Sequence, residues 1–306
     1  MIDQKLIVLI LIVIIAVIVI GFVISNEPDA KTEEVIEPGP YKATKQPIIT
    51  TVPANLFGGP LPFIYAEVAG IGHTWTTSDP HYSFSDRIDP DATSLTVKNV
   101  GFVSELDFDS ENLETISFPD LQAVNDLEIY EMDQLTSMNF TNLKVVGDAL
   151  DIYECPLLTG ISLSSLTSVD DVEIYECPMI TTLSLSKLLD ATDLEIYDNN
   201  VLESITFTTL SLVRDGIYIY DNSSLTTLSF PSLKKLGSDV DLNNNALYEA
   251  SVDAILDVLA KLDGTNGTTE WTGDVNLSGG TNSVPSAAGL ASIAIIEGRG
   301  GTVTTN

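Results

Sequence analysis

Leu127-Glu128-Ile129-Tyr130-Glu131 is written again, nearly unchanged, as Leu150-Asp151-Ile152-Tyr153-Glu154, Val172-Glu173-Ile174-Tyr175-Glu176, Leu194-Glu195-Ile196-Tyr197-Asp198 and Ile217-Tyr218-Ile219-Tyr220-Asp221. Successive tyrosines, Tyr130, Tyr153, Tyr175, Tyr197 and Tyr220, stand 23, 22, 22 and 23 residues apart. A fixed period of about 20–29 residues marks a solenoid, in which each unit buries its apolar face only by stacking on its neighbours.

Within one unit, apolar residues fall at Leu127, Ile129, Met132, Leu135, Met138, Phe140, Leu143 and Val146, and the next unit opens at Leu150. Two pairs alternate with period two, Leu127/Ile129 and Met138/Phe140. The second recurs as Ile116/Phe118, Ile161/Leu163, Leu183/Leu185, Ile205/Phe207 and Leu228/Phe230. Period two with β-branched and aromatic residues predicts strands. No stretch of the unit is long enough for a typical helix. The expected class is mainly β: a parallel solenoid in which every coil gives a strand to at least two sheets, over residues 106–245.

The pattern L-x-x-L-x-L-x-x-N/C appears as Val169-x-x-Val172-x-Ile174-x-x-Cys177, with Asn199, Asn222 and Asn245 at the same terminal position of later coils and Met132 and Cys155 in earlier ones. This resembles the leucine-rich repeat. Because strand rather than helix follows, the chain looks like the receptor L-domain and related all-β leucine-rich-repeat surface proteins over roughly residues 95–245. The resemblance implies that the terminal position turns inward to satisfy backbone groups. Cys155 and Cys177 then stack one coil apart, about 4.8 Å in a parallel sheet, which suits either buried free thiols or a disulfide.

Period two also assigns an outward face to the first strand of each coil. One expected column is Glu128, Asp151, Glu173, Glu195 and then Tyr218. Beside it run Phe108, Tyr130, Tyr153, Tyr175, Tyr197 and Tyr220. Nearest the turn run Asp109, Glu131, Glu154, Glu176, Asp198 and Asp221. An aromatic stripe flanked by two acidic ones is unfavourable for folding alone, because neighbouring like charges repel. Tyrosine supplies a rigid amphipathic contact surface. The stripe is therefore the candidate ligand-binding face, for a protein or carbohydrate, with its charge suiting a cationic partner.

The flanks read differently. Leu6 to Ile24 is an unbroken apolar run of 19 residues, enough as a helix to cross a bilayer core of about 30 Å. No small-x-small cleavage site follows, and Lys5 precedes the run while Glu27 and Asp29 follow it. Residues 1–25 are thus expected to be a retained signal-anchor in the cell membrane, with the N-terminus inside and residues 26–306 extracellular. Residues 26–60 carry Pro28, Pro38, Pro40, Pro47, Pro53 and Pro60 and read as an extended tether. Residues 61–105, with strand-like Phe63-Ile64-Tyr65, Tyr82-Ser83-Phe84 and Leu95-Thr96-Val97, are expected to cover the first coil. His73 and His81, beside Trp75 and Asp79, read as structural or solvated there. Residues 246–306 break the period, with a helix over Tyr248 to Leu262, a strand at Asp274 to Leu277, a helix over Pro285 to Glu297 opened by its proline, and a strand at Gly301 to Thr304. This segment resembles the terminal caps of leucine-rich-repeat surface proteins of bacteria, archaea and phages.

Charge excludes some partners. The 306 residues hold 13 Lys and Arg against 44 Asp and Glu, a net charge of −31. Such a surface repels nucleic acid. Divalent cations suit it, but no D-x-D-x-D-G loop provides a defined site, and no cofactor motif is present. Phosphate loops, a nucleophile elbow, HExxH and CxxC are all missing, so the chain reads as a non-enzyme. Sequons begin at Asn139, Asn222, Asn266 and Asn276, of which Asn222 belongs to the inward ladder. The expected function is adhesion or recognition at the cell surface. The alternative is a structural subunit of a surface appendage, envelope layer or virion.

Overall fold

The computed structural model describes residues 63–68, 71–76, 93–98, 102–108, 112–264 and 271–306. The expected anchor, Leu6 to Ile24, and the tether lie outside these residues, as do Tyr82, His81 and Asp79. Among the described residues no helix is long and apolar enough to cross a membrane.

The repeats wind as a parallel β solenoid with coils of about 22 residues. Its principal sheet runs in the order Phe102–Phe108, Ala123–Tyr130, Ala149–Tyr153, Asp171–Tyr175, Asp193–Tyr197, Ile217–Tyr220, Val240–Asp241, Val275–Leu277 and Val303–Thr305. Each strand pairs in parallel with the next coil's, so Leu127 faces Leu150, Leu150 faces Val172 and Val172 faces Leu194. The second ladder forms from the Met138/Phe140 region of each coil, through Thr115–Ser117, Ser137–Asn139 and Gly160–Ser162 and again through Thr182–Ser184, Ser204–Thr206 and Thr227–Ser229. A third, of two-residue strands, runs through Asp190–Ala191, Leu212–Val213, Lys235–Leu236 and Asp263–Gly264. The periodicity predicts at least two ladders. The third is so short that alternation cannot announce it.

Core positions follow the period. Leu127, Ile129, Met132, Leu135, Phe140 and Leu143 are all fully buried, as are Leu150, Ile152, Cys155, Leu158 and Leu166 one coil on. Burying a leucine-sized side chain is worth about 1.5–3 kcal/mol, and each coil contributes several only because its neighbours cover both sides. Phe118 and Phe140 stack in the interior with centroids 5.4 Å apart.

The inward turn position is satisfied by asparagine where asparagine occurs. Asn199 Nδ2 donates to Ile174 O and Tyr197 O, both at 2.9 Å, and its Oδ1 accepts from Cys177 N at 3.1 Å. Asn222 repeats this with Ile196 O, Tyr220 O and Asn199 N, and Asn245 with Ile219 O, Leu242 O and Asn222 N. Each side chain so joins three backbone groups of neighbouring coils. A fourth member escapes the period. Asn282 donates to Leu242 O and Leu277 O and accepts from Leu247 N, after a helix has lengthened the preceding coil.

That helix, α1 (Glu249–Leu259), buries Val252, Ile255, Leu256 and Leu259 and lies against Thr227–Ser229. A second, α2 (Ala287–Gly298), packs on α1. Gly289 permits this approach: a Cβ there would meet Asp253 Oδ1 at 2.3 Å. The expected helix start at Pro285 is displaced by two residues, to Ala287. Ser286 is the cap, its Oγ accepting from Ala288 N at 3.1 Å, because a side-chain acceptor serves the orphan amides that a proline cannot. At the other end Phe63–Val68 pairs antiparallel with Ile71–Thr76, setting His73 opposite Ala66, and antiparallel with Ser94–Lys98.

Candidate binding face

The tyrosines face outward in register. Tyr130 pairs with Tyr153, Tyr153 with Tyr175, Tyr175 with Tyr197 and Tyr197 with Tyr220. Their rings stack face to face, with centroids 5.2, 4.8, 4.7 and 5.0 Å apart and interplanar angles of 14°, 2°, 5° and 5° along the series. Every ring is half-buried by its neighbours. Stacking consumes the π faces and leaves ring edges and hydroxyls to solvent. The edge of an aromatic ring carries the positive part of its quadrupole, so it sits well beside carboxylates.

Phe108 does not join this column. It pairs with Ile129 and is fully buried, edge-on to Phe118 at 5.8 Å and 69°. The step from Leu106 to Leu127 is 21 residues, one fewer than the period. The inward Leu-x-Phe pair therefore keeps register with Leu127-x-Ile129, and Asp107 takes the place opposite Glu128. Asp109 lies outside the described residues.

The first acidic column thus runs Asp107, Glu128, Asp151, Glu173 and Glu195 before Tyr218 and Asp241. Two residues before it on the same face stand further carboxylates that the repeat unit omits: Asp126 and, beyond Ala149 of the next coil, Asp171 and Asp193, the last two paired directly. Extending the alternation one step back from Leu127, Val172 and Leu194 would have found them. Among the described residues no lysine or arginine stands in these columns.

Crowding shows in the titration of the face. Burial, then Glu173 and Glu128 on either side, push the Asp151 carboxyl up to about 6. Burial and neighbouring carboxylates also raise Glu195 and Asp193, and burial and Asp170 raise Asp171. The phenols shift the same way. Burial followed by Glu173 pushes Tyr175 up to about 12, and Tyr153 and Tyr220 rise through burial and their nearest carboxylates. Tyr197 is raised by burial and by donating its hydroxyl to Glu173 Oε1 at 3.0 Å.

The column nearest the turn is unusual in its backbone. Glu131, Glu154, Glu176, Asp198 and Asp221 all adopt left-handed conformations, with φ of 51°, 51°, 50°, 54° and 54°. The chain must reverse there so that Met132, Cys155, Cys177, Asn199 and Asn222 can turn inward. Glu131 N still donates to Tyr153 O and Glu154 N to Tyr175 O, each at 3.3 Å, so the coils stay laddered through the reversal. Left-handed φ costs a side-chain-bearing residue about 1–2 kcal/mol, less for asparagine and aspartate and nothing for glycine. The same position holds Asn244 (φ 54°) in the next coil.

Other candidates fall away from this face. Cys155 and Cys177 are free and fully buried, Cys155 Sγ lying 3.3 Å from Tyr153 O. Their mutual hydrogen bond, and then burial, hold the Cys177 thiol well above its ordinary range. Asn222 is buried, while Asn139 and Asn276 sit half-buried in strands and Asn266 lies outside the described residues. No group of three or more His, Cys, Asp and Glu among the described residues is placed to hold a metal ion. Comparison of the chain with protein-family models, with curated proteins and with solved structures gave no match.

Proposed function

We propose that this chain is a leucine-rich-repeat-type recognition module, held to a membrane by Leu6 to Ile24, that binds a cationic protein outside the cell through its tyrosine and acidic columns. α1 and α2 serve in this reading as the terminal cap. The observation that carries the proposal is the conformation of Glu131, Glu154, Glu176, Asp198 and Asp221. Glu131, Glu154 and Glu176 are disfavoured there by their backbone, and all five residues by the carboxylates above and below them, while Asn244 fills the same position without that charge. Five consecutive departures from what folding favours point to a use for the charge.

A cationic protein suits the face better than a carbohydrate. Sugars are commonly gripped against open aromatic faces, and here the rings cover one another at 4.7–5.2 Å. Phenol hydroxyls and carboxylates remain, and these accept hydrogen bonds from lysine and arginine.

An array of cell-surface proteins and glycans probed with the full chain tests this reading. Binding to basic proteins that falls with salt and is lost in the triple variant Glu154→Asn, Glu176→Asn, Asp198→Asn supports it. Retained binding in that variant, or binding confined to neutral glycans, overturns it. Ordered arrays of the purified chain without a ligand would favour the structural-subunit alternative.

A further inference from the structure

Beyond the acidic turn column the surface changes character. Glu154, Glu176 and Asp198 on one side of the inward Cys155, Cys177 and Asn199, and Asp133, Pro156, Pro178 and Asn200 on the other, line an open groove of about 590 Å³. Immediately past its far rim stand Leu157, Met179 and Val201, one per coil. These are 43%, 46% and 38% exposed, while the residues that follow them, Leu158, Ile180 and Leu202, are buried. Each coil could place a polar residue at this corner, as Gln134 and Ser224 do at the same step. Three coils in succession place a large apolar one. No ion pair or side-chain hydrogen bond to Glu154, Glu176 or Asp198 is found among the described residues.

We propose that this groove docks an extended polypeptide segment of a partner in which basic and apolar side chains alternate. Coils repeat every ~4.8 Å, so the carboxylates of Glu154, Glu176 and Asp198 span about 10 Å and the groove a little more. An extended chain rises about 3.3 Å per residue and sends successive side chains to opposite sides. Four or so residues therefore fill the groove, with basic side chains reaching the carboxylates and apolar ones lying on Leu157, Met179 and Val201. A small polyamine or a bare cation would neutralise the acidic wall and leave the ridge uncovered. The proposal rests on the cationic-partner reading above and adds to it the location and the apolar half of the recognition.

The test uses the full-length chain and two labelled synthetic peptides of equal length and charge, one alternating lysine with leucine and one alternating lysine with serine. Fluorescence anisotropy in about 0.15 M salt reads the affinities. The lysine–leucine peptide should bind about tenfold more tightly. Leu157→Ser, Met179→Ser, Val201→Ser should abolish that preference and leave the lysine–serine affinity unchanged. These side chains are exposed, so the variant keeps its fold, which its thermal melt verifies. Equal affinity of the wild type for both peptides, or a preference that survives in the serine variant, overturns the groove while leaving the cationic-partner reading standing. Binding of neither peptide overturns both.

Discussion

Tyr197 donates its phenol hydrogen to Glu173 Oε1 at 3.0 Å, reaching from one coil to the acidic column of the coil before it. The bond ties the aromatic stack to the first carboxylate column diagonally, which straight columns drawn on a strand face do not suggest. Glu173 sits between the Tyr175 ring it flanks and the Tyr197 hydroxyl it accepts, so one carboxylate governs two phenols. Both are raised, burial coming first and Glu173 next. In a spectrophotometric pH titration, these phenols should stay protonated well past the ordinary tyrosine value of about 10. Glu173→Gln removes the charge and should move part of the tyrosine signal to lower pH. An unchanged titration would disprove the coupling.

Stability should rise as the medium is acidified from neutral. Asp151 titrates near 6 in the folded chain against 3.8 ordinarily, so between those values the native state holds a proton that the unfolded chain has released. Unfolding free energy therefore falls as pH climbs through this window and is greater at pH 5 than at pH 7. Asp171, Asp193 and Glu195 shift in the same direction and add to the effect. Thermal melts at the two pH values measure it. Asp151→Asn should flatten the difference and raise the neutral-pH melting temperature, and added salt should act similarly by screening the columns.

Replacing Glu154, Glu176 and Asp198 together with asparagine should stabilise the chain by about 1–3 kcal/mol, through easier left-handed backbone and less charge repulsion. Chemical denaturation gives the number. A gain in stability accompanied by loss of cationic binding would show that the carboxylates are kept against the interest of the fold.

Asn222→Leu removes one side chain and its hydrogen bonds to three backbone groups: Ile196 O, Tyr220 O and Asn199 N. Each buried group left without a partner costs about 1–3 kcal/mol. A loss of about 4 kcal/mol or more is expected in equilibrium unfolding. Thr at the same position should rescue little, because its hydroxyl cannot reach two carbonyls and one amide together.

Cys155 and Cys177 are fully buried in the turn ladder, and a buried thiol is a poor nucleophile. Neither should react with an alkylating reagent in the native chain, and both should react after denaturation. Mass spectrometry counts the adducts, and a mass lower by two hydrogens without reductant would reveal a disulfide instead.

The elements differ in how openly the sequence announces them. Leu127, Ile129 and Tyr130 recur at a constant interval, and constant intervals survive without knowledge of neighbours, so the coil length and the outward tyrosines can be read directly. Asn199, Asn222 and Asn245 are legible for the same reason. Asn282 is not, since α1 interrupts the count and only the hydrogen bonds to Leu242 and Leu277 reveal its kinship. Phe108 shows the converse failure. Counting 22 residues back from Tyr130 places it on the surface, yet the chain shortens that coil by one to keep a large aromatic ring in the core, because burial of such a ring outweighs the regularity of spacing.

By itself, then, the order of residues determined that this chain stacks strands in parallel rungs and sets phenols and carboxylates on one face, because alternation and period are local properties. Only the tertiary structure decided that the phenols close upon one another at 4.7–5.2 Å, that Glu131, Glu154, Glu176, Asp198 and Asp221 bear left-handed backbones, and that a groove runs beside Leu157, Met179 and Val201. Each of these depends on what the neighbouring coil places a few ångströms away, and no single repeat contains that information.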